Sequence, residues 1–187
     1  MNKYLGLLHH PILGRKGEII TTSVTNLDIH DIARTCRTFG FKKYFIITPV
    51  EKQHALIQTI LDHWNTDLES SYNPDRTSAL SFIEIAHSYE DAQRRIEELE
   101  GTKPYNVVTG ANFKEYHGKE PELARALSVD RRPMFLLFGT GWGLHASVTD
   151  TADFKLEPIF GSAEDGYNHL SVRSAVAIYC DRLARSL

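Results

Sequence analysis

Apolar runs of strand length alternate along this chain with segments of helical period, and three of the runs break straight into glycine. Parallel strands cannot be joined by a tight turn and need a crossover, usually a helix. The alternation therefore predicts an α/β fold on a mainly parallel sheet. "KYLGLLHH" reads as the first strand and "PILGRKGEI" as a turn after it. "TNLDIHDIARTCRTFG" follows as a helix, with Ile29, Ile32, Ala33 and Cys36 on its apolar stripe, a capping pair in Thr25 and Asp28, and a stop at Gly40. "KYFIIT", "SFIEIAHS", "YNVVTGA" and "MFLLFGTG" are further strands, and "FKLEPIF" is a short last one. "EKQHALIQTILDHWN", "YEDAQRRIEELEG" and the segment after Leu170 are helices. Residues 65–79, with Asn73-Pro74 and several Ser and Thr, read as a turn-rich connection.

At 187 residues, without repeat, low-complexity tract or Pro/Gly linker, the chain is expected to form a single domain over residues 1–187. The net charge of −3 gives no global footprint for coating a nucleic-acid backbone, which leaves room for a local basic patch. Cys36 and Cys180 both fall on apolar helix faces, as free buried thiols of a reducing compartment do. No run approaches the roughly 18 apolar residues of a membrane span, and the first ten residues are too short and polar for a signal peptide. A cytoplasmic protein without a membrane partner is expected.

The three glycine-ended runs carry the chemistry. They are "VVTGANF", "LLFGTGWGLH" and "PIFGSAEDGYNHLS". In a parallel sheet the strand C-termini share one edge, where ligands bind, and glycine lets main chain approach a ligand closely. Any one of these loops alone reads better as a plain turn; three together favour a cradle. "GTGWG" is not the dinucleotide fingerprint, and no phosphate-cradling G-x-x-x-x-G-K-[ST] or G-x-S-x-G elbow exists. No H-x-x-x-H or C-x-x-C pair is present, so no metal is expected.

"LLFGTGWGLH" followed by "PIFGSAEDGYNHLSVRSAVAIY" resembles the last two motifs of the SPOUT superfamily of knotted, S-adenosylmethionine-dependent RNA methyltransferases. Gly139, Gly141, Gly143 and Leu144 match the first motif. Pro158, Ile159, Gly161, Leu170, Val172, Ser174 and Ala175 match the second. "NLDIHDIARTCRTFGFKKYFII" is similar to the family's first helix through Arg34, Thr35, Phe39 and Gly40. Asp28, His30, Asp31, Thr140-Gly141-Trp142 and Ser171 depart from the 2′-O-methylating branch, so base and ribose methylation both stay open.

The resemblance implies a deep trefoil knot in the C-terminal third, a homodimer whose active site draws on both subunits, and methyl transfer from S-adenosylmethionine to tRNA or rRNA. S-adenosylhomocysteine would be the product. It implies a donor site made of Thr109, Gly110, Phe138, Gly139, Thr140, Gly141, Gly143, Ile159, Phe160, Gly161, Asn168, Leu170 and Ser171. Arg34 is the leading catalytic candidate, with Asn26 and Asp28 behind it; a solvated helix face and N-capping are the plain readings of the same residues. His10, Arg15, Lys16 and His30 are candidates for docking RNA, against an ordinary polar surface. A non-catalytic RNA-binding protein that keeps the donor site is the second reading.

Overall fold

The computed structural model describes residues 1–66 and 71–187. Six strands form one sheet: β1 (Lys3–Leu8), β4 (Lys43–Ile47), β5 (Ile83–Ala86), β6 (Tyr105–Val108), β7 (Met134–Gly139) and β8 (Phe154–Lys155). The order across the sheet is β5-β4-β1-β7-β6-β8, and every pairing is parallel. The expected turn after β1 is a small antiparallel hairpin, β2 (Ile12–Leu13) with β3 (Ile19–Ile20).

Strand alternation sends side chains to opposite faces, and both faces are covered. Leu5, Leu7, Tyr44, Ile46, Val107, Leu136 and Phe138 point to one side. Helices α1 (Asn26–Thr38), α2 (Glu51–Trp64), α5 (Glu120–Asp130) and α7 (Val172–Ser186) supply its apolar partners. Tyr4, Leu8, Phe45, Ile47, Val108, Phe135 and Leu137 point to the other side, against α4 (Tyr89–Glu100). Phe135 there lies 5.8 Å from Phe45, edge-on, and 6.3 Å from Tyr89, stacked. Full burial of one such ring contributes roughly 2–3 kcal/mol.

The local signals behave as their chemistry requires. Thr25 caps α1: its hydroxyl accepts from Asp28 N and donates to Asp28 Oδ2 at 2.6 Å. Ser88 caps α4, which ends at Gly101 with φ 72°. Cys36 and Cys180 are free and buried.

Two expectations are corrected, and two helices are added. The turn-rich reading of residues 65–79 misses helix α3 (Pro74–Leu80), where Asn73 is the cap and Pro74 opens the first turn; part of that stretch, residues 67–70, lies outside the described residues. A proline that cannot donate is tolerated there because first-turn N–H groups have no helical partner. The last strand stops at Lys155 rather than running to Phe160, since Pro158 cannot feed the ladder. Helices α5 and the short α6 (Ala146–Thr149) carried no expectation.

Candidate active site

The strand order makes the molecule's geometry of binding. β6 and β7 end side by side, and the loop after β8 returns to the same edge, so all three glycine loops meet there. They enclose a cleft of about 820 Å³. Its walls are residues 109–112, residues 138–143, and Ile159 with Gly166, Asn168, His169 and Leu170; Val172, Ala175 and Tyr179 of α7 complete it. Among the described residues, no Asp, Glu, Lys or Arg lines it. What it presents is main chain, apolar surface and a few neutral polar groups.

Each wall is held by bonds that the sequence makes locally. Thr109 donates its hydroxyl to Leu137 O at 2.9 Å, tying the first loop to β7. In the second loop Gly143 N donates to Thr140 O at 3.0 Å, and the loop folds back on its own start. A Cβ on Gly139 would stand 2.9 Å from Leu144 N, closer than real Cβ contacts come. Gly143 has φ 108°, a region open essentially to glycine alone. In the third loop Asn168 Nδ2 donates to Ile159 O at 2.9 Å, and Tyr179 donates its hydroxyl to Glu157 O at 2.7 Å.

The hairpin is stitched to the second loop. Leu13 N donates to Gly143 O at 2.9 Å, and Trp142 N donates to Leu13 O at 3.2 Å. Thr140 donates to Leu8 O at 3.2 Å and shares a hydrogen bond with Thr22. Thr22 also contacts His9 Nδ1 at 2.9 Å, and His9 is fully buried with its Nε2 unpartnered. Burial pulls the His9 pKa down to about 4, against an opposing pull from Asp28.

The expected donor residues divide. Thr109, Gly110, Phe138, Gly139, Thr140, Gly141, Gly143, Ile159, Asn168 and Leu170 line the cleft together. Phe160, Gly161 and Ser171 do not. Phe160 is exposed, while Gly161 backs onto Tyr167 O, 3.0 Å from where a Cβ would lie. Ser171 caps α7, its hydroxyl accepting from Ser174 N at 3.2 Å.

None of the three catalytic candidates lines the cleft. Asp28 is buried and held by Arg173 Nη1 at 2.9 Å, so its carboxylate is already engaged. Arg34 and Asn26 are exposed, and neither side chain makes a hydrogen bond or ion pair among the described residues. Of the RNA candidates, Arg15 and Lys16 sit exposed at the hairpin tip, beside the second glycine loop to which the hairpin is bonded. His10 is half-buried with its Nδ1 3.0 Å from Thr21 Oγ1. His30 does not join them: its ring packs edge-on to Trp64 of α2 at 5.7 Å, where burial and then Arg76 lower its pKa.

Three residues of weight were not expected. Arg173 links α7 to Asp28 and, at 3.5 Å, to Asp31. Tyr179, with the family-matched Val172 and Ala175, lines the cleft from one face of α7; their i, i+3, i+7 spacing is visible in the sequence once the helix start is fixed. Trp142, named in the sequence only as a departure from the family pattern, stands in the cleft wall half-exposed.

Residues 2–185 match the model of a family described as SAM-dependent RNA methyltransferase. An Aquifex aeolicus (strain VF5) protein of uncharacterised function is 36% identical over 182 residues, covering 97% of this chain and 88% of its own. The tRNA (guanine-N(1)-)-methyltransferase of Oleidesulfovibrio alaskensis (strain G20) is 41% identical over 182 residues; the chain spans 42% of that enzyme's length. A similar enzyme of Nitratidesulfovibrio vulgaris (strain Hildenborough) is also matched over 42% of its length. Among solved structures, the Aquifex aeolicus TrmH/SpoU tRNA modifying enzyme superposes with a TM-score of 0.58 at 15% identity, over 98% of this chain and 74% of its own. That likeness is one of fold.

Proposed function

The chain belongs to the SAM-dependent RNA methyltransferase family, and from that premise we propose that its glycine-loop cleft binds the methyl donor and serves methylation of tRNA. The observation that carries the reading is the meeting of three glycine loops around a cleft with no charged side chain in its lining among the described residues. Such a wall reads a ligand by main-chain groups and apolar contact, which suits an adenosine moiety.

The residues fit the donor. Gly139 keeps main chain bare where a Cβ would meet backbone at 2.9 Å, and Thr109, Asn168 and Leu170 stand around it. S-adenosylmethionine would bring a methyl group already activated on sulfonium, leaving the protein to orient the acceptor and manage its proton. Arg34, exposed and unpaired among the described residues, is the group assigned to the acceptor, by phosphate contact or by stabilising its developing charge. Arg15 and Lys16 at the hairpin tip would meet the nucleic-acid backbone next to the cleft. Asp28, paired with Arg173, would anchor the start of α7 behind the cleft. A homodimer, bringing one protomer's first helix to the other's cleft, and a trefoil knot formed by the two C-terminal loops complete the proposal.

The choice of tRNA rests on the activities named for the two longer relatives and on a tRNA-modifying neighbour of similar fold. Labelled methyl transfer from S-adenosylmethionine to separated tRNA and rRNA, taken from cells lacking this protein, tests it. Label in tRNA is expected, and label confined to rRNA would overturn the substrate. Failure of S-adenosylhomocysteine to bind in calorimetry at millimolar concentration would overturn the donor site.

A further inference from the structure

On the other half of the same sheet edge, away from the donor cleft, three metal-ligating side chains converge. Glu51 opens α2 just after β4, His54 lies one turn along, and His87 follows β5. Their ligand atoms all lie within 4.8 Å of one another. Glu51 Oε2 is 3.7 Å from His54 Nδ1, and Glu51 Oε1 is 3.4 Å from His87 Nδ1. The two rings meet at 4.5 Å between centroids. Ligand atoms around a four-coordinate zinc ion, at about 2.0–2.2 Å from the metal, stand roughly 3.3 Å apart. The separations here are within a small side-chain adjustment of that.

The tautomer points the same way. His54 Nε2 lies 2.6 Å from Thr48 O, and a carbonyl can only accept, so Nε2 carries the proton and donates. Nδ1 of the neutral ring is then a lone pair facing a carboxylate oxygen, acceptor against acceptor. A cation between them turns both into ligands. An imidazole whose other nitrogen donates to a backbone carbonyl is the usual outer arrangement of a metal-bound histidine. His87 is held at its backbone by Asp91, its N donating to Oδ2 at 3.1 Å, which fixes where its ring starts from.

We propose that Glu51, His54 and His87 form a binding site for a divalent transition-metal ion of the zinc class. Two imidazoles and one carboxylate favour such an ion over magnesium or calcium, which want oxygen ligands. Glu51 and His87 are exposed, so the remaining coordination position opens to solvent. The ion clamps the exit of β4 to the exit of β5, and Glu51 offsets the positive end of α2 that would otherwise repel it. The motif escapes a search by spacing because Glu51-x-x-His54 is only half of it; His87 arrives through the pairing of β4 with β5.

The test is calorimetric titration of zinc into the untagged, chelator-stripped chain, with cobalt(II) spectra as a second readout. One zinc per chain at micromolar affinity is expected, with visible absorption of low-symmetry cobalt and a raised melting temperature. The His87 side chain makes no hydrogen bond among the described residues, so His87→Ala should lower the affinity at least tenfold and abolish the melting shift without changing the circular dichroism. His54→Ala should do the same. No binding up to millimolar zinc overturns the site, and so does an unchanged affinity in the H54A/H87A double variant, which would place the ion on other histidines. Donor binding in the glycine-loop cleft is measured separately and does not depend on the outcome.

Discussion

Arg173 Nη1 stands 2.9 Å from Asp28 Oδ1 and so joins the first turn of α7 to the first turn of α1, 145 residues apart in the chain. Asp28 is nearly inaccessible, whereas Arg173 keeps about a third of its surface. Removing Arg173 leaves a buried carboxylate with Thr25 as its remaining side-chain donor. Arg173→Ala should cost about 2 kcal/mol, below the roughly 3–5 kcal/mol of a fully buried pair broken on one side. Urea midpoints of R173A, D28A and the double variant measure it, and strictly additive losses would show that the two groups do not couple.

His9 makes stability depend on pH. Its folded pKa, about 4, lies below the ordinary value of 6.5, so the unfolded chain binds the proton more readily. The contribution is complete above pH 6.5 and is lost as pH falls from there towards 4, a total of roughly 3 kcal/mol. His9→Gln should flatten that part of the profile. Urea unfolding of both proteins at pH 7 and pH 5 checks it; equal falls in both would remove His9 as the cause.

The glycines of the second loop separate two kinds of intolerance. Gly143→Ala meets no atom within 4 Å but must hold φ 108°, at a cost of about 1–3 kcal/mol. Gly139→Ala meets backbone at Leu144 and must move the loop. Both variants should bind S-adenosylhomocysteine at least tenfold more weakly. Partial recovery at lower temperature should be confined to Gly143→Ala, and calorimetry at two temperatures distinguishes them.

Arg34 should behave as a functional residue without a structural duty. Because it is exposed and unpaired among the described residues, Arg34→Ala should change stability by less than about 0.5 kcal/mol. Methyl transfer should fall at least a hundredfold while S-adenosylhomocysteine affinity stays unchanged. Equal transfer by wild type and variant would take Arg34 out of the chemistry.

Most of the sheet, and the three loops at its edge, were legible because period and punctuation are local properties. "KYFII" can only be a buried strand when Gly40 stops the helix before it and Pro49 follows. The cleft was legible for the same reason, since strand ends share an edge whatever the strand order. Side-chain partnerships were not. Asp28 reads as a capping residue in sequence, and its pairing with Arg173 depends on how α1 and α7 pack. His30 belongs to the same helix as Arg34, yet Trp64 of α2 takes its ring. The helix at Pro74 was missed because Asn-Pro is shared chemistry: the same pair serves a turn and a helix start.

The place of β7 carries a kinetic consequence. It sits between β1 and β6, and its partner β1 lies more than 120 residues earlier in the chain. β1, β4 and β5 can pair as soon as residues 3–86 exist, whereas the centre of the sheet must wait for Met134 to Gly139 to be made and inserted. Closing so long a loop before its contacts are rewarded slows folding. In pulse-labelled hydrogen exchange during refolding, the amides of Lys43–Ile47 should become protected before those of Met134–Gly139. The glycine-loop cleft should therefore be the last part of the molecule to come into being, and a chain arrested before β7 docks would have a sheet but nowhere to hold a ligand.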